Sequence, residues 1–238
     1  MAQPVGAPDH MSVWESIERF LSEPETWSGP GSIWARLGEH LWVSVAAVVV
    51  AALLVMPIAV WFGHTRRGSE IATAVVNIGR ALPSFGILAI SFLILVRMGA
   101  GIREPWAVLV ALIALAAPPM FTNTVAGIQT VEPATVESAR GMGLTEREVL
   151  TGVELPLAVP VIMEGVRIAL VQVIATATLG ALVAWGGLGR FIVDGFARQD
   201  QGQLVVGAAL VGLLAVAAEL GFARVQRSVT PRGLRTAR

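Results

Sequence analysis

Charged side chains inside the long apolar blocks of this sequence are the first candidates for chemistry. Arg80 is the only charged residue between 71 and 96, and Glu164 and Arg167 are the only ones between 155 and 189. Charge inside an apolar helix is costly and usually marks a functional or locking role. Arg80 is therefore expected to line a path, to lock neighbouring helices or to extend to a membrane surface. Glu164 and Arg167, three apart on one helix face, are expected to form a structural ion pair or, alternatively, a gate latch.

Small polar side chains in the same blocks are the second set of candidates. Such groups can line a water-filled path, and they can equally form hydrogen bonds that join helices. Together with Arg80, they make up the predicted translocation path. They are Asn77, Ser84, Gln172, Thr176 and Thr178.

No residue pattern predicts catalysis or a bound cofactor. The sequence has no lysine and no cysteine, which excludes a phosphate-binding loop with its lysine, a thiolate metal site and disulfides. The three histidines (His10, His40 and His64) lack the spacing of metal ligands. The net charge of zero gives no electrostatic basis for binding nucleic acid. The chain is thus expected not to be an enzyme, and any energy for transport must come from a partner or a gradient.

The elements that position these residues are predicted to be membrane-spanning helices. Hydrophobic residues make up 55% of the chain and charged residues 14%, against about a quarter charged in soluble domains. A helix needs about 20 apolar residues to cross a bilayer, and five blocks are long enough. Proline, which kinks helices, interrupts four of them, as in helices that move or line a cavity. The blocks are 41–63, 71–96, 105–131, 155–189 and 204–223.

Arginine placement predicts the orientation and the domain limits. An N-terminus outside the cell puts Arg66, Arg67, the 132–156 loop and the basic tail inside, as the positive-inside rule favours. The expected divisions are an extracytoplasmic segment 1–39, a transmembrane domain 40–225 and a cytoplasmic tail 226–238. In the first segment, the helical spacing of Trp14, Ile17, Phe20 and Leu21 predicts an amphipathic helix. It is expected to pack on the bundle or to lie on membrane lipid.

The 132–156 loop carries local signals for two short helices. Pro133 suits the first turn of a helix, and Gly141 and Gly143 suit its end. Thr145 and Glu148 form a capping box that starts a second helix, and Pro156 is expected to end it. A connection between spans needs only a few residues. A longer one with its own capping signals is expected to dock onto a cytoplasmic partner.

This loop resembles the EAA loop of ABC importer permeases. That pattern has Glu-Ala-Ala, three residues, Gly, nine residues, Ile, one residue and Leu-Pro. Ser replaces the first Ala and Val replaces Ile in this sequence. The resemblance implies a permease of the MetI-like superfamily whose loop contacts an ATPase subunit. The residues at matching positions, with the leucine after the glycine, are Glu137, Ser138, Ala139, Gly143, Leu144, Val153, Leu155 and Pro156.

Three further stretches are similar to the betaine, carnitine and choline importers of the OpuC/ProW type. They are 77–84, 153–167 and 175–189, and the resemblance covers residues from about 40 to 225. It implies two ATPase subunits that bind ATP and Mg²⁺, an extracytoplasmic solute-binding protein, and a second permease subunit, identical or paralogous. The turn expected at the outer gate comprises Trp185, Gly186, Gly187 and Gly189.

The resulting hypothesis is a permease subunit of an importer for compatible solutes. The transported solute is less firmly indicated than the importer type, because the glycine-rich turn is shared with methionine-type permeases. One alternative is therefore the same importer type for methionine or another amino acid. A second alternative, of another class, is a membrane scaffold or channel without ATP coupling. A proton-driven carrier is disfavoured, since the apolar blocks hold few carboxylates.

Overall fold

The computed structural model describes residues 12–79 and 83–229, and every regular element in these two ranges is helical. Arg80 and the tail arginines from 232 onward lie outside the described residues. The α-helices are α1 Val13–Ser22, α2 Pro24–Trp27, α3 Ile33–Thr65, α4 Ser69–Ile78, α5 Ser84–Arg97, α6 Trp106–Gln129, α7 Pro133–Gly141, α8 Glu146–Val149, α9 Leu155–Thr176, α10 Gly189–Arg198 and α11 Gln201–Val229. A π-helical turn, Leu150–Glu154, joins α8 to α9, and a 3₁₀ helix, Ala177–Val183, follows α9.

Within the described ranges, four continuous helical stretches are long and apolar enough to cross a membrane. They overlap the first, third, fourth and fifth predicted spans and run over Ile33–Thr65, Trp106–Gln129, Glu146–Val183 and Gln201–Val229. The helices of the third and fourth predicted spans end before the predicted limits at residues 131 and 189. The second predicted span differs, because its residues form two shorter helices, α4 and α5. Pro83 stands immediately before α5. Since proline lacks an N–H donor and disfavours helix in the residue before it, one uninterrupted helix is not expected there.

The centre of the bundle is the packing of α3, α6 and α9. Its core is rich in small and branched side chains, such as Val43, Ala47, Ala116 and Val173, each fully buried. Small residues let membrane helices approach closely, which is how they gain packing energy without a hydrophobic drive between them. Gly165 of α9 illustrates this, because a methyl group there would lie 2.7 Å from the Pro119 carbonyl oxygen of α6.

Two predicted boundaries fall inside continuous helices. The helix of the first span begins at Ile33, so the expected division between residues 39 and 40 lies within α3. The last helix runs to Val229, past the expected start of the tail at residue 226. Glu39 and Arg224, the charged residues that flank the apolar stretches of these two helices, mark where apolar composition stops, but both lie inside a helix.

The amphipathic helix predicted near the N-terminus is α1, and it packs on the bundle through one face. Phe20 is buried against Phe191 of α10, with ring centroids 5.7 Å apart. Ser16 is buried and accepts a hydrogen bond from the Gly202 N–H of α11. Arg19 pairs with Asp200 at 2.8 Å. Trp14, on the opposite face, is 76% exposed.

Candidate coupling site and translocation path

The 132–156 loop folds around its own small apolar core. Val136 and Ala139 of α7 pack with Val149 of α8 and with Val131, and all four are buried. This happens because α7 is short and turns back at Gly143, whose φ of +89° suits glycine and strains other residues. The loop is therefore a compact body with a defined shape, joined to α6 at one end and to α9 at the other.

The residues predicted to contact an ATPase subunit divide into two groups in this structure. Glu137, Ser138 and Gly143 are exposed, so their surfaces are available to a partner. Ala139, by contrast, is only 3% exposed and lies inside the core of the loop. Its small side chain lets α7 and α8 approach, and it is not presented at the surface of the chain.

The remaining residues of the EAA-like pattern anchor the loop. Leu144 and Val153 are partly buried against the loop core, and Leu155 packs against a separate cluster that includes Ile128 and Ala158. Pro156 lies at the start of α9. These positions hold the loop in place beneath the helices that it connects.

The second helix of the loop begins as predicted but does not end at Pro156. Thr145 caps α8, its N–H donating to the Glu148 carboxylate at 2.8 Å. The helix then continues through the π-helical turn into α9, and Leu155 N–H donates to the Leu150 carbonyl. The prediction that Pro156 would limit the helix was wrong. A π turn changes the hydrogen-bond spacing just before the proline and so accommodates its missing donor.

Three side-chain contacts tie the two arms of the loop together and to α3. Arg140 donates to the Glu146 carboxylate at 2.8 and 2.9 Å, and these hydrogen bonds raise the pKa of Arg140. His64, near the end of α3, contacts both Glu146 and the buried Glu154. Sequence reasoning missed His64 because Glu154 is 90 positions away along the chain. No local spacing signals such a pair.

The predicted path residues lie near one another but do not form one lined channel in a single chain. Ser84 and Thr176 face a narrow crevice between α5, α6 and the end of α9. Gln172 lines a separate cavity of about 230 Å³ together with Gly79 of the α4–α5 connection. Asn77 accepts a hydrogen bond from Thr122 at 3.5 Å, and Thr178 donates to the Ala175 carbonyl. Arg80, the remaining member of this set, lies outside the described residues.

The turn predicted at the outer gate is held against the first helix of the bundle. Gly187 has a φ of +78°, and its N–H donates to Glu39 at 2.7 Å. Leu188 N–H donates to Nδ1 of His40 at 3.3 Å, while Nε2 of His40 lies 2.9 Å from the Ile174 carbonyl. Because Nδ1 accepts, Nε2 must carry the proton, and the fully buried imidazole is neutral in this arrangement.

The other residues of this turn are tightly packed. Trp185 is 6% exposed and belongs to the central core. A methyl group at Gly186 would collide with the Glu39 carboxylate, and one at Gly189 would lie 2.3 Å from the Thr178 carbonyl oxygen. In this structure the turn is closed onto α3 and the 3₁₀ helix.

The charged pair predicted on the fourth span has a third member. Arg167 lies 3.3 Å from Glu164, and its other terminal nitrogen contacts Glu219 of α11. The pair therefore also connects α9 to α11. Sequence reasoning did not connect Glu219 with this pair, since it lies 52 residues beyond Arg167 along the chain.

Comparisons with known proteins show to which family the chain belongs. Residues 55–232 match the family described as "Binding-protein-dependent transport system inner membrane component". The chain belongs to this family. It is consequently an inner-membrane component that crosses the bilayer several times, consistent with its four long apolar helices.

Relatives of this inner-membrane component are named as permease proteins of transport systems. It is 35% identical over 204 residues to the glycine betaine/carnitine/choline transport system permease protein OpuCB of Bacillus subtilis, covering 86% of this chain and 91% of that protein. It is 36% identical over 222 residues to the choline transport system permease protein OpuBD of the same organism, covering 93% of each.

A solved structure shares the fold of this inner-membrane component. The inward-facing MetNI methionine ABC transporter contains a chain that matches with a TM-score of 0.76 and 22% sequence identity. The match covers 88% of this chain and all of that one. The expected MetI-like helical bundle is thereby confirmed.

Proposed function

We propose that this chain is the permease subunit of an ABC importer for compatible solutes such as glycine betaine, carnitine or choline. The observation that carries the proposal is the sequence identity to osmoprotectant permeases over most of both chains. The chain supplies half of a translocation path and hydrolyses nothing itself. A second permease subunit, identical or paralogous, supplies the other half.

Coupling to ATP takes place at the 132–156 loop. Glu137, Ser138 and Gly143 are exposed on a compact loop with its own core, which suits docking into a cleft of an ATPase subunit. Two ATPase subunits close on ATP and move the two loops, and the paired bundles then change from inward-facing to outward-facing. ATP hydrolysis resets them. ATP and Mg²⁺ are bound by the partner subunits.

The 185–189 turn is the outer gate, and the loop lies in the cytoplasm. Arg66 and Arg67 follow α3 on the side of the loop, which is the side that the positive-inside rule assigns to the cytoplasm. The N-terminal helices and the turn then face outward, where a solute-binding protein releases its ligand. Asn77, Arg80, Ser84, Gln172, Thr176 and Thr178 are candidates to line the path of that ligand.

Glu164 and Arg167 have a structural role in this proposal. With Glu219 they form an ionic cluster between α9 and α11, and every member of the cluster has a partner. Buried or half-buried charges in a membrane helix are tolerated when they are paired in this way.

Methionine or another amino acid is the disfavoured cargo. Apart from the shared glycine-rich turn, the resemblance to methionine and amino-acid transporters comes from structures with 22% and 18% sequence identity, which show the fold alone. The osmoprotectant permeases are more similar in sequence.

The test is uptake of labelled glycine betaine into proteoliposomes that contain the cognate ATPase and binding protein. We expect uptake that requires ATP and that choline or carnitine, but not methionine, reduces by competition. ATP-dependent uptake of methionine instead would overturn the cargo and retain the importer. A complex that binds the ATPase but transports neither solute would overturn the proposal.

A further inference from the structure

A histidine at the loop end of α3 stands between two carboxylates from different parts of the 132–156 loop. Nδ1 of His64 contacts Glu154, and Nε2 lies 3.3 Å from the Glu146 carboxylate. Glu154 is the last residue of the π-helical turn, and Glu146 is the first residue of α8. One imidazole thus contacts both ends of the α8 and π-turn segment.

The burial of Glu154 makes this contact important. Its side chain is only 2% exposed, and that of His64 is 14% exposed. A buried carboxylate is costly unless it is paired or hydrogen-bonded. Among the described residues, the ion pair of Glu154 is with His64. Separating α3 from the start of α9 would leave this carboxylate without that partner.

Arg140 extends the contact into the first helix of the loop. Its guanidinium forms two hydrogen bonds to the same Glu146 carboxylate that faces His64. A continuous chain of side-chain contacts therefore runs from α7 to α3, and its members in order are Arg140, Glu146, His64 and Glu154. We name this chain the joint.

The surroundings of the joint suit the transfer of motion. The loop has its own packed core, which holds α7 and α8 together. The π-helical turn that ends at Glu154 has wider hydrogen-bond spacing than an α-helix, and such turns often occur at functional sites. The joint thus connects a packed loop to the long helix α3 beside the π-helical turn that leads into α9.

We propose that His64 is a positioning residue that passes movement of the 132–156 loop to α3. This inference rests on the proposed function, in which ATPase subunits move the loop. His64 touches neither cargo nor nucleotide in this role. It couples the displacement of α3 to the displacement of the loop during the transport cycle.

The first test measures transport and ATP hydrolysis in the same proteoliposomes, with ATPase and binding protein present. For His64→Ala, we expect ATPase binding and basal hydrolysis to persist while solute transported per ATP falls about tenfold, within the usual range of coupling between sites. Arg67→Gln is the control, because it changes an exposed side chain beside the same helix end. An unchanged transport ratio in His64→Ala would overturn the inference.

Two more variants separate positioning from simple packing. Glu154→Gln keeps the shape of the side chain but removes its charge, and we expect the same loss of transport per ATP. The exchanged variant, His64→Glu with Glu154→His, again places a histidine and a glutamate next to each other. We expect it to regain most of the solute transported per ATP. If transport, hydrolysis and complex assembly instead fall together and the exchange restores none of them, His64 only stabilises the fold.

A distance measurement tests the joint without relying on the cargo. The chain has no cysteine, so spin labels can be placed uniquely at Trp61→Cys of α3 and Met142→Cys of the loop, both exposed positions. We expect a narrow distribution of distances between the two labels, and we expect this distribution to broaden in His64→Ala. Identical distributions in both would refute the joint, whereas failure of the proposed function would appear as absent uptake in the unmodified complex.

Discussion

Glu137 and Ala139 lie two positions apart in α7 and have opposite environments. Glu137 is exposed, whereas Ala139 is buried in the core of the 132–156 loop. The EAA-like pattern therefore contains two kinds of information. Its acidic residue is available to a partner, and its small residue allows the loop to be compact.

The exposed position supports a residue-scale prediction. Glu137→Arg reverses a charge on the docking surface, and we expect ATPase binding to weaken by at least about tenfold, as for disrupted interfacial charges. The permease itself should remain folded, because the side chain lies outside the loop core. Binding is measured by co-purification and by titration of ATPase subunits onto the reconstituted permease.

Glu132→Arg is the matched control for this variant. Glu132 is exposed at the start of the same loop, and it stands outside the EAA-like pattern. Equal binding by the Glu137 and Glu132 variants would show that this face of α7 is not the docking surface. That result would favour the scaffold or channel alternative.

At the scale of elements, α11 is packed closely against its neighbours at one glycine and is open at another. A methyl group at Gly207 would lie 2.6 Å from Cβ of Phe191 in α10. At Gly212 of the same helix, a methyl group would meet nothing within 4 Å. The two glycines therefore differ in packing and not in secondary structure.

This difference predicts opposite effects on stability. Gly207→Ala should destabilise the chain by about 1–3 kcal/mol through overpacking. Gly212→Ala should be neutral or stabilise it by up to about 1 kcal/mol, because alanine favours helix. Unfolding of the purified chain in detergent checks both. Similar changes in the two variants would contradict the packing of α10 on α11.

Local signals in the sequence predicted individual elements well and long-range pairs poorly. The capping box at Thr145 and the turn at Gly143 were predictable because each depends on neighbouring residues. The continuity of the helix past Pro156 was not, since proline usually ends a helix and only the π turn removes that conflict. The pairs of His64 with Glu154 and of Arg167 with Glu219 join residues on different helices, and their contact depends on the topology.

At the scale of the whole molecule, the candidate functional groups lie at two opposite ends of the bundle. The 132–156 loop and His64 lie at one end, and α1, α10 and the 185–189 turn lie at the other. α3 reaches both, and its 33 residues make it about 50 Å long, against about 30 Å for the hydrocarbon core. The helix is therefore longer than the apolar layer is thick.

This arrangement predicts which residues a reagent can reach from outside the cell. Because the chain has no cysteine, Ser28→Cys and Ser138→Cys each create a unique thiol at an exposed position. A membrane-impermeant maleimide should label Ser28→Cys in intact cells and Ser138→Cys only after the membrane is opened. The reverse pattern would invert the proposed orientation and exclude the loop from the cytoplasm.

The length of α3 has a thermodynamic consequence. Glu39 and His40 hold the 185–189 turn near one end of this helix, and His64 meets the loop near the other. About 36 Å of helix separates His40 from His64 at 1.5 Å per residue, with Pro57 as its internal proline. If one helix biases both sites, linkage requires their coupling free energy to be reciprocal. Occupancy by a binding protein outside must then change nucleotide affinity inside by the same factor that nucleotide changes the affinity for the binding protein.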